Sequence, residues 1–324
     1  MTTVGGSSET LDLRTWLQLP TTNNNTDNND PSLLQAVLDP HSYVLDYWEQ
    51  ETRPDGRLLG QVRTTHVQTD LLTKTTAASA LVRQGNTKVL ATIAFQVGQV
   101  APEFPNHGDV QVTVRNTTTT TSRSNNQSKE DALQSRLQRR LDDVLPPHLG
   151  LIPGKVALRA MVTLLVLEED GTVGDAALLA CMVAWRQAKL PTVGEDYCLG
   201  EDGHQLWLAP NDENEEQSEK ETAAPPPKPS YQISLTMGVI ASMSTDDSDD
   251  IRLLVDPSEL EESHVGGLLT MVVTIDTKER NNVSETNHAL QMEYSGNLAL
   301  RVQDMALAAK LAQGRAQEVS SFLV

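Results

Sequence analysis

The sequence predicts an α+β fold made of two halves, each a mixed sheet covered by helices. Three observations carry this. Val156 to Leu167 is a long run rich in Val, Leu and Met, the composition of a central strand. Glu168-Glu169-Asp170-Gly171 stops it, because Asp-Gly accepts tight-turn backbone angles. Ala176 to Trp185 then reads as a helix apolar on every side, so buried, with Asp175 as its cap and Pro191 closing the unit.

The other elements follow in order. Residues 1–30 are polar and Asn/Thr-rich and predict a disordered acidic tail. Residues 31–204 form the first half, opening on a helical leader from Pro31 to Thr52 that breaks at Pro40 and carries Leu33, Leu34, Val37 and Leu38 on one face. Val62 to Thr69 alternates as a strand. Ala78–Val82 and Thr87–Val97 form a hairpin through Gln84-Gly85-Asn86, and Val110, Val112 and Val114 mark a further strand. Asn116–Ser128 is a low-complexity loop. Ser128-Lys129-Glu130-Asp131 reads as a capping box opening an amphipathic helix with Leu133, Leu137, Leu141 and Leu145 on one face. Residues 205–229 are an acidic, Pro-rich linker. Residues 230–324 form the second half: strands at Tyr231–Ile240, Ile251–Val255, Leu268–Asp276 and Ala289–Tyr294, then one helix from Asn297 to Leu323 with Leu298, Val302, Met305 and Ala309 on a face.

The net charge of −19 is unevenly spread. Residues 1–51, 201–221 and 246–262 each hold eight acidic residues and one basic, so the remainder is near neutral and the bulk charge does not exclude a nucleic-acid-facing patch. The N-terminus shows no secretory pattern, and the apolar helix is far shorter than the ~20 residues a bilayer needs. We expect a soluble intracellular protein with no membrane partner. Cys181 reads as an inert buried thiol, and neither it nor Cys198 has ligands spaced for a metal.

Catalytic motifs are absent: no Gly-x-Ser-x-Gly elbow, no phosphate loop, no dinucleotide fingerprint and no His-Glu-x-x-His. No metal or cofactor is expected. Glu259, Glu261 and Glu262 read as solvated surface. Arg53-Pro54-Asp55-Gly56-Arg57 reads either as a turn into a strand or as two guanidiniums held for a carboxylate or phosphate.

Several stretches together resemble the ribonuclease PH family, most closely the ring subunits of the eukaryotic RNA exosome. They are Arg53–Arg57 with Arg63, Ala80–Val89, Ile152–Lys155, Asp170–Ala176, Leu254–Pro257 with Glu261-Glu262, and Gly267–Thr270. The resemblance covers roughly 45–322. It implies the ribonuclease PH-like fold of two similar β-α-β halves (ribosomal protein S5 domain 2-like), pairing with a ribonuclease PH-like neighbour, other ring and cap subunits as partners, RNA in a central channel, and a place in nucleus, nucleolus and cytoplasm. Active members degrade RNA from the 3′ end by phosphorolysis, which needs a fixed cation for the attacking phosphate and an acid or metal for the leaving oxygen. An ungapped match sets Gly174 at the phosphate-binding Arg and Leu268 at or near the catalytic Asp, and neither can do that chemistry. The resemblance therefore implies a structural, non-catalytic subunit, with no catalytic residues and with Arg115, Arg136, Arg139 and Arg140 as RNA-contact candidates. Two rivals stand beside it: an active phosphate-dependent 3′–5′ exoribonuclease, and a binding module of the same fold that does not take RNA.

Overall fold

The computed structural model describes residues 31–72, 76–98, 104, 107–117, 123–152, 156–188, 197–199, 206–208, 230–241, 251–275 and 289–323. The expected tail and most of the expected linker lie outside them. The chain divides into two compact units, 1–46 and 47–324. The first holds α1 (Pro31–Leu38) and most of α2 (Pro40–Glu49), divided at Pro40 as expected. Gln35 Nε2 donates to Asp46 Oδ2 at 2.7 Å and ties the two helices.

Among its described residues the second unit carries two large sheets and a two-strand one. The first contains β1 (Thr65–Thr69), β2 (Ala78–Gln84), β3 (Thr87–Gly98), β4 (Asp109–Asn116), β5 (Gly150–Ile152) and β6 (Val156–Glu168). Their order is β1-β2-β3-β6-β4, with β5 paired to β6. The β2–β3 hairpin turns on Gly85-Asn86 alone, since Gln84 already pairs with Thr87. Gly85 sits at φ +59°, a conformation glycine adopts without Cβ strain. β4 runs parallel to β6 and the other pairs are antiparallel, so this sheet is mixed as expected.

Between the two sheets in sequence, a two-strand ladder joins β7 (Tyr197–Leu199) to β8 (Leu206–Leu208). The second sheet comprises β9 (Tyr231–Ala241), β10 (Ile251–Val255), β11 (Gly267–Ile275) and β12 (Ala289–Gly296), in the order β10-β9-β11-β12. It differs from the mixed sheet expected there: every pairing is antiparallel.

Among its described residues the unit also carries the α-helices α3 (Arg123–Val144), α4 (Val173–Gln187), the short α5 (Glu259–Glu262) and α6 (Val302–Leu323). α4 lies against β2 and β3 on one side and β9 on the other. That is why Ala176 to Trp185 are apolar all round: both sheets cover them, and all ten residues are buried. Cys181 is among them, its thiol pushed up to about 12 by burial, which makes it inert.

Two helix expectations need correction. α3 opens at Arg123, five residues before the expected capping box, so part of the expected loop is helix. Asp131, the acid of that box, accepts instead from Gln127 Nε2 at 3.0 Å within the helix, and Glu130 serves the neighbouring strand, its Oε1 accepting from Asn116 N at 3.0 Å. α6 starts at Val302, which is itself exposed; Leu298 precedes the helix, and the buried face is Ala308, Ala312, Arg315, Ala316, Val319 and Leu323. The start of the expected stripe is lost to the helix because β12 reaches Gly296, leaving 297–301 as a connection.

α3 also protects a sheet edge. Val112 N donates to Gln138 Oε1 at 2.8 Å, Val114 N to Gln134 Oε1 at 3.2 Å, and Gln138 Nε2 donates to Val110 O at 2.7 Å. Side chains thereby replace the missing strand beyond β4. Gln138→Ala is expected to cost about 1 kcal/mol in urea melts and to speed amide exchange at Val112. An unchanged exchange rate there would mean that the edge is protected by something else.

Candidate functional site

The site grows from the turn between β6 and α4. Gly171 lies at φ +73° and Thr172 at +44°. A Cβ on Gly171 would stand 2.4 Å from Pro257 O, so the turn is pressed on the segment after β10. There Asp256 is also left-handed, at φ +53°. Two strained turns, one from each half, meet back to back.

Arginines of the entry segment hold them. The Arg63 guanidinium donates to both Asp256 carboxylate oxygens, from Nη2 at 2.7 Å and from Nε at 3.0 Å, to Thr172 Oγ1 at 2.7 Å, and to Asp170 O. Thr172 donates its own hydroxyl proton to Asp256 Oδ1 at 2.7 Å. Arg53, fully buried, donates to both Glu261 carboxylate oxygens, with Nε at 2.8 Å, and to Val255 O and Asp256 O. So the entry arginines are held for carboxylates inside the protein. The solvated-surface reading of the acidic segment fails for Glu261, which is 1% exposed, because Arg53 supplies the counter-charge that burial demands. Glu261 also accepts from Ser258 N and Oγ in a capping box.

The expected cap of α4 differs too. Asp175 lies inside the first turn rather than before it, and its Oδ2 accepts from Thr236 N at 2.6 Å, bolting α4 to β9. Burial raises the Asp175 pKa, and bonds from Ser234 and Thr236 only partly offset that. Burial likewise raises Glu262, whose Oε1 accepts from Thr172 N at 2.6 Å. Asp256 is opposite in sign. Burial pushes it up, but the Arg63 hydrogen bonds and charge, with the Thr172 hydroxyl, outweigh this and hold it below the usual carboxylate range.

Beside this join lies a cavity of about 530 Å³, walled by α3, the first turn of α4, β11 and β12. Arg136, Arg139, Gly174, Glu262, Leu268 and Glu293 all reach it. A side chain begun at Gly174 would meet only Arg136 Nη1 and Leu133 Cδ1, both at 3.8 Å. Among the described residues no three His, Cys, Asp or Glu group together to hold a metal ion. No described helix is long and apolar enough to cross a membrane.

Residues 61–191 match the model of the 3′ exoribonuclease family, domain 1. Those residues form a ribonuclease PH domain. The chain is 26% identical to the exosome complex component Rrp42 of Pyrococcus furiosus over 289 residues, covering 87% of this chain and 91% of that one. It is 31% identical to the Rrp42 of Sulfurisphaera tokodaii over 156 residues, covering 46% and 56%. Its fold resembles an archaeal exosome core chain (TM-score 0.61, 21% identity, 91% and 100% covered) and a chain of the Archaeoglobus fulgidus exosome with RNA bound to the active site (TM-score 0.63, 20% identity, 90% and 100% covered). The likeness of fold thus reaches past residues 61–191 into the second sheet.

In this ribonuclease PH-like frame the expected site residues separate. Gly174 and Leu268, matched by resemblance to the phosphate-binding and catalytic positions, share one cavity although 94 positions apart in the chain. Arg136 and Arg139 line it with them. Arg140 does not: it is 8% exposed, with Nη2 2.9 Å from Glu293 Oε1 and a bond from Nη1 to Gln291 Oε1. Arg115 is exposed on β4 outside the cavity wall. Sequence reasoning missed Glu293 and Lys129 as wall residues; only a register for β12 against α3 could have placed Glu293.

The Asp256 direction gives a pH test. Its contribution is complete above the ordinary carboxylate pKa and is lost as pH falls through the lower folded value. Asp256→Asn is expected to cost about 3–5 kcal/mol at pH 7, and urea melts should show the gap to the parent protein closing below about pH 4. A gap independent of pH would mean that the carboxylate charge is not what holds the join.

Proposed function

We propose that this chain is a structural, catalytically silent subunit of the RNA exosome ring, supporting 3′-to-5′ RNA processing and degradation and lining part of the RNA path. One observation carries the reading: in the cavity between the halves, Gly174 and Leu268 stand on the α4 and β11 walls, where the resemblance sets the phosphate cation and the catalytic acid. Glycine holds no anion by charge and leucine accepts no proton. The Rrp42 relatives, aligned over most of their length, support a ring role. Arg-Pro-Asp-Gly-Arg at 53–57 and Val-Asp-Pro at 255–257 favour the eukaryotic subunit type called exosome component 8, or ribosomal RNA processing protein 43, over its sister component 7. With that assignment go ribosomal RNA maturation, messenger RNA turnover, and residence in nucleus, nucleolus and cytoplasm. The partners are a ribonuclease PH-like neighbour, the remaining ring and cap subunits, and RNA.

The active-enzyme rival draws on Glu262, a half-buried carboxyl in the cavity whose raised pKa favours a protonatable acid. The two readings part in an assay of the chain with its co-purified partners. Phosphate-dependent release of nucleoside diphosphates that survives inactivation of every partner would overturn the silent reading. We expect none. Mild-salt purification should recover other exosome subunits in near-equal amounts, and recovery of the chain alone would sink the ring role. Arg139→Ala is expected to weaken RNA binding, with the loss fading as salt rises; a salt-independent loss would point to packing.

A further inference from the structure

The cavity's cations are matched by a carboxylate of the chain itself. Glu293 projects from β12 toward α3, and its two oxygens face two guanidiniums: Oε1 is 2.9 Å from Arg140 Nη2, and Oε2 is 3.9 Å from Arg136 Nε. Gln291, two residues earlier on the same face of β12, accepts from Arg140 Nη1. Arg136 is shared between neighbours. Its Nη1 lies 3.8 Å from where a Gly174 side chain would begin, at the first turn of α4, and half of its side chain is open to solvent.

The arrangement is asymmetric. Arg140 is buried and doubly held, so its charge is satisfied inside the fold. Arg136 makes one long ion pair among the described residues, with Glu293, and Glu293 is itself about one-third exposed. The remaining wall acids have backbone or side-chain donors: Glu130 takes Asn116 N, Glu169 takes Asn116 Nδ2, and Glu262 takes Thr172 N. Glu293 is thus the acid that stands against Arg136.

We infer that Glu293 is a built-in competitor for polyanions: a carboxylate occupying Arg136, which a phosphate of single-stranded RNA must displace to enter the cavity. Removing the charge frees the Arg136 guanidinium, while Arg140 loses its carboxylate partner and keeps only the Gln291 bond among the described residues, so the Arg136→Ala variant below is what assigns any gain to Arg136. This rests on the RNA-contact reading above.

The test uses the 324-residue chain and fluorescence anisotropy with a labelled single-stranded RNA homopolymer across a salt series. Glu293→Gln keeps the shape and removes the charge. It is expected to tighten binding about three- to fivefold at low salt and to steepen the salt slope by about 0.7, the signature of one added phosphate contact on a single strand. Glu293→Asp, one methylene shorter, should give a smaller gain of the same sign, and it serves should the amide variant unfold. Adding Arg136→Ala to Glu293→Gln should abolish the gain. If the parent binds RNA but Glu293→Gln binds no tighter, or tighter with no change of slope, the competitor role is overturned and the RNA reading stands. If neither parent nor variants bind RNA at any salt, both are overturned.

Discussion

Burying an arginine is costly unless a carboxylate meets it with good geometry, and this protein does so twice at one place. Arg63 meets Asp256, 193 residues on, and Arg53 meets Glu261, 208 residues on. Both pairs are nearly dry, and both are completed by backbone carbonyls that take the remaining guanidinium protons. The entry segment belongs to the first half and the acceptors to the second, so neither pair exists until both halves are in place. Two left-handed turns, at Gly171-Thr172 and at Asp256, are tolerated because these pairs determine their positions. The position of the cavity follows, since its floor is the first turn of α4 that this join fixes.

α3 serves three neighbours with three sets of side chains. Leu137 and Leu141 are buried in the core, Gln134 and Gln138 complete the β4 edge, and Arg136 and Arg140 reach across to β12. The helix is therefore both a structural cap and the cationic wall of the cavity. A solvated surface is the natural reading of its arginines in isolation; it holds for Arg139, and Arg140 departs from it because Glu293 and Gln291 of another element supply its partners.

Local pattern made the fold legible. Alternation marked β1 and β4, the Gln84-Gly85-Asn86 turn marked the β2–β3 hairpin, the continuous apolar run marked β6, and the all-round apolar segment marked the buried part of α4. Boundaries slipped where tertiary contacts outweighed local signals: α3 starts earlier than its capping residues suggest, and α6 later than its apolar stripe. The site was legible only in part. Resemblance pointed to Gly174 and Leu268, and the structure sets both on one cavity. The roles of Asp175, Glu261 and Glu293 were hidden, since each depends on a donor far along the chain that no local pattern announces.

The placement of α4 bears on how the chain survives cutting. The helix is sealed on one side by β2 and β3 and on the other by β9, yet it reaches β9 only through the long segment that ends at residue 230. A peptide bond broken in that segment would leave the helix on one fragment and half of its cover on the other. Each fragment alone would carry a bare apolar wall and tend to precipitate. Together they would still be clasped by the wall and by the Arg53 and Arg63 pairs, so a nicked molecule would run as one particle in native conditions and as two chains only in denaturant.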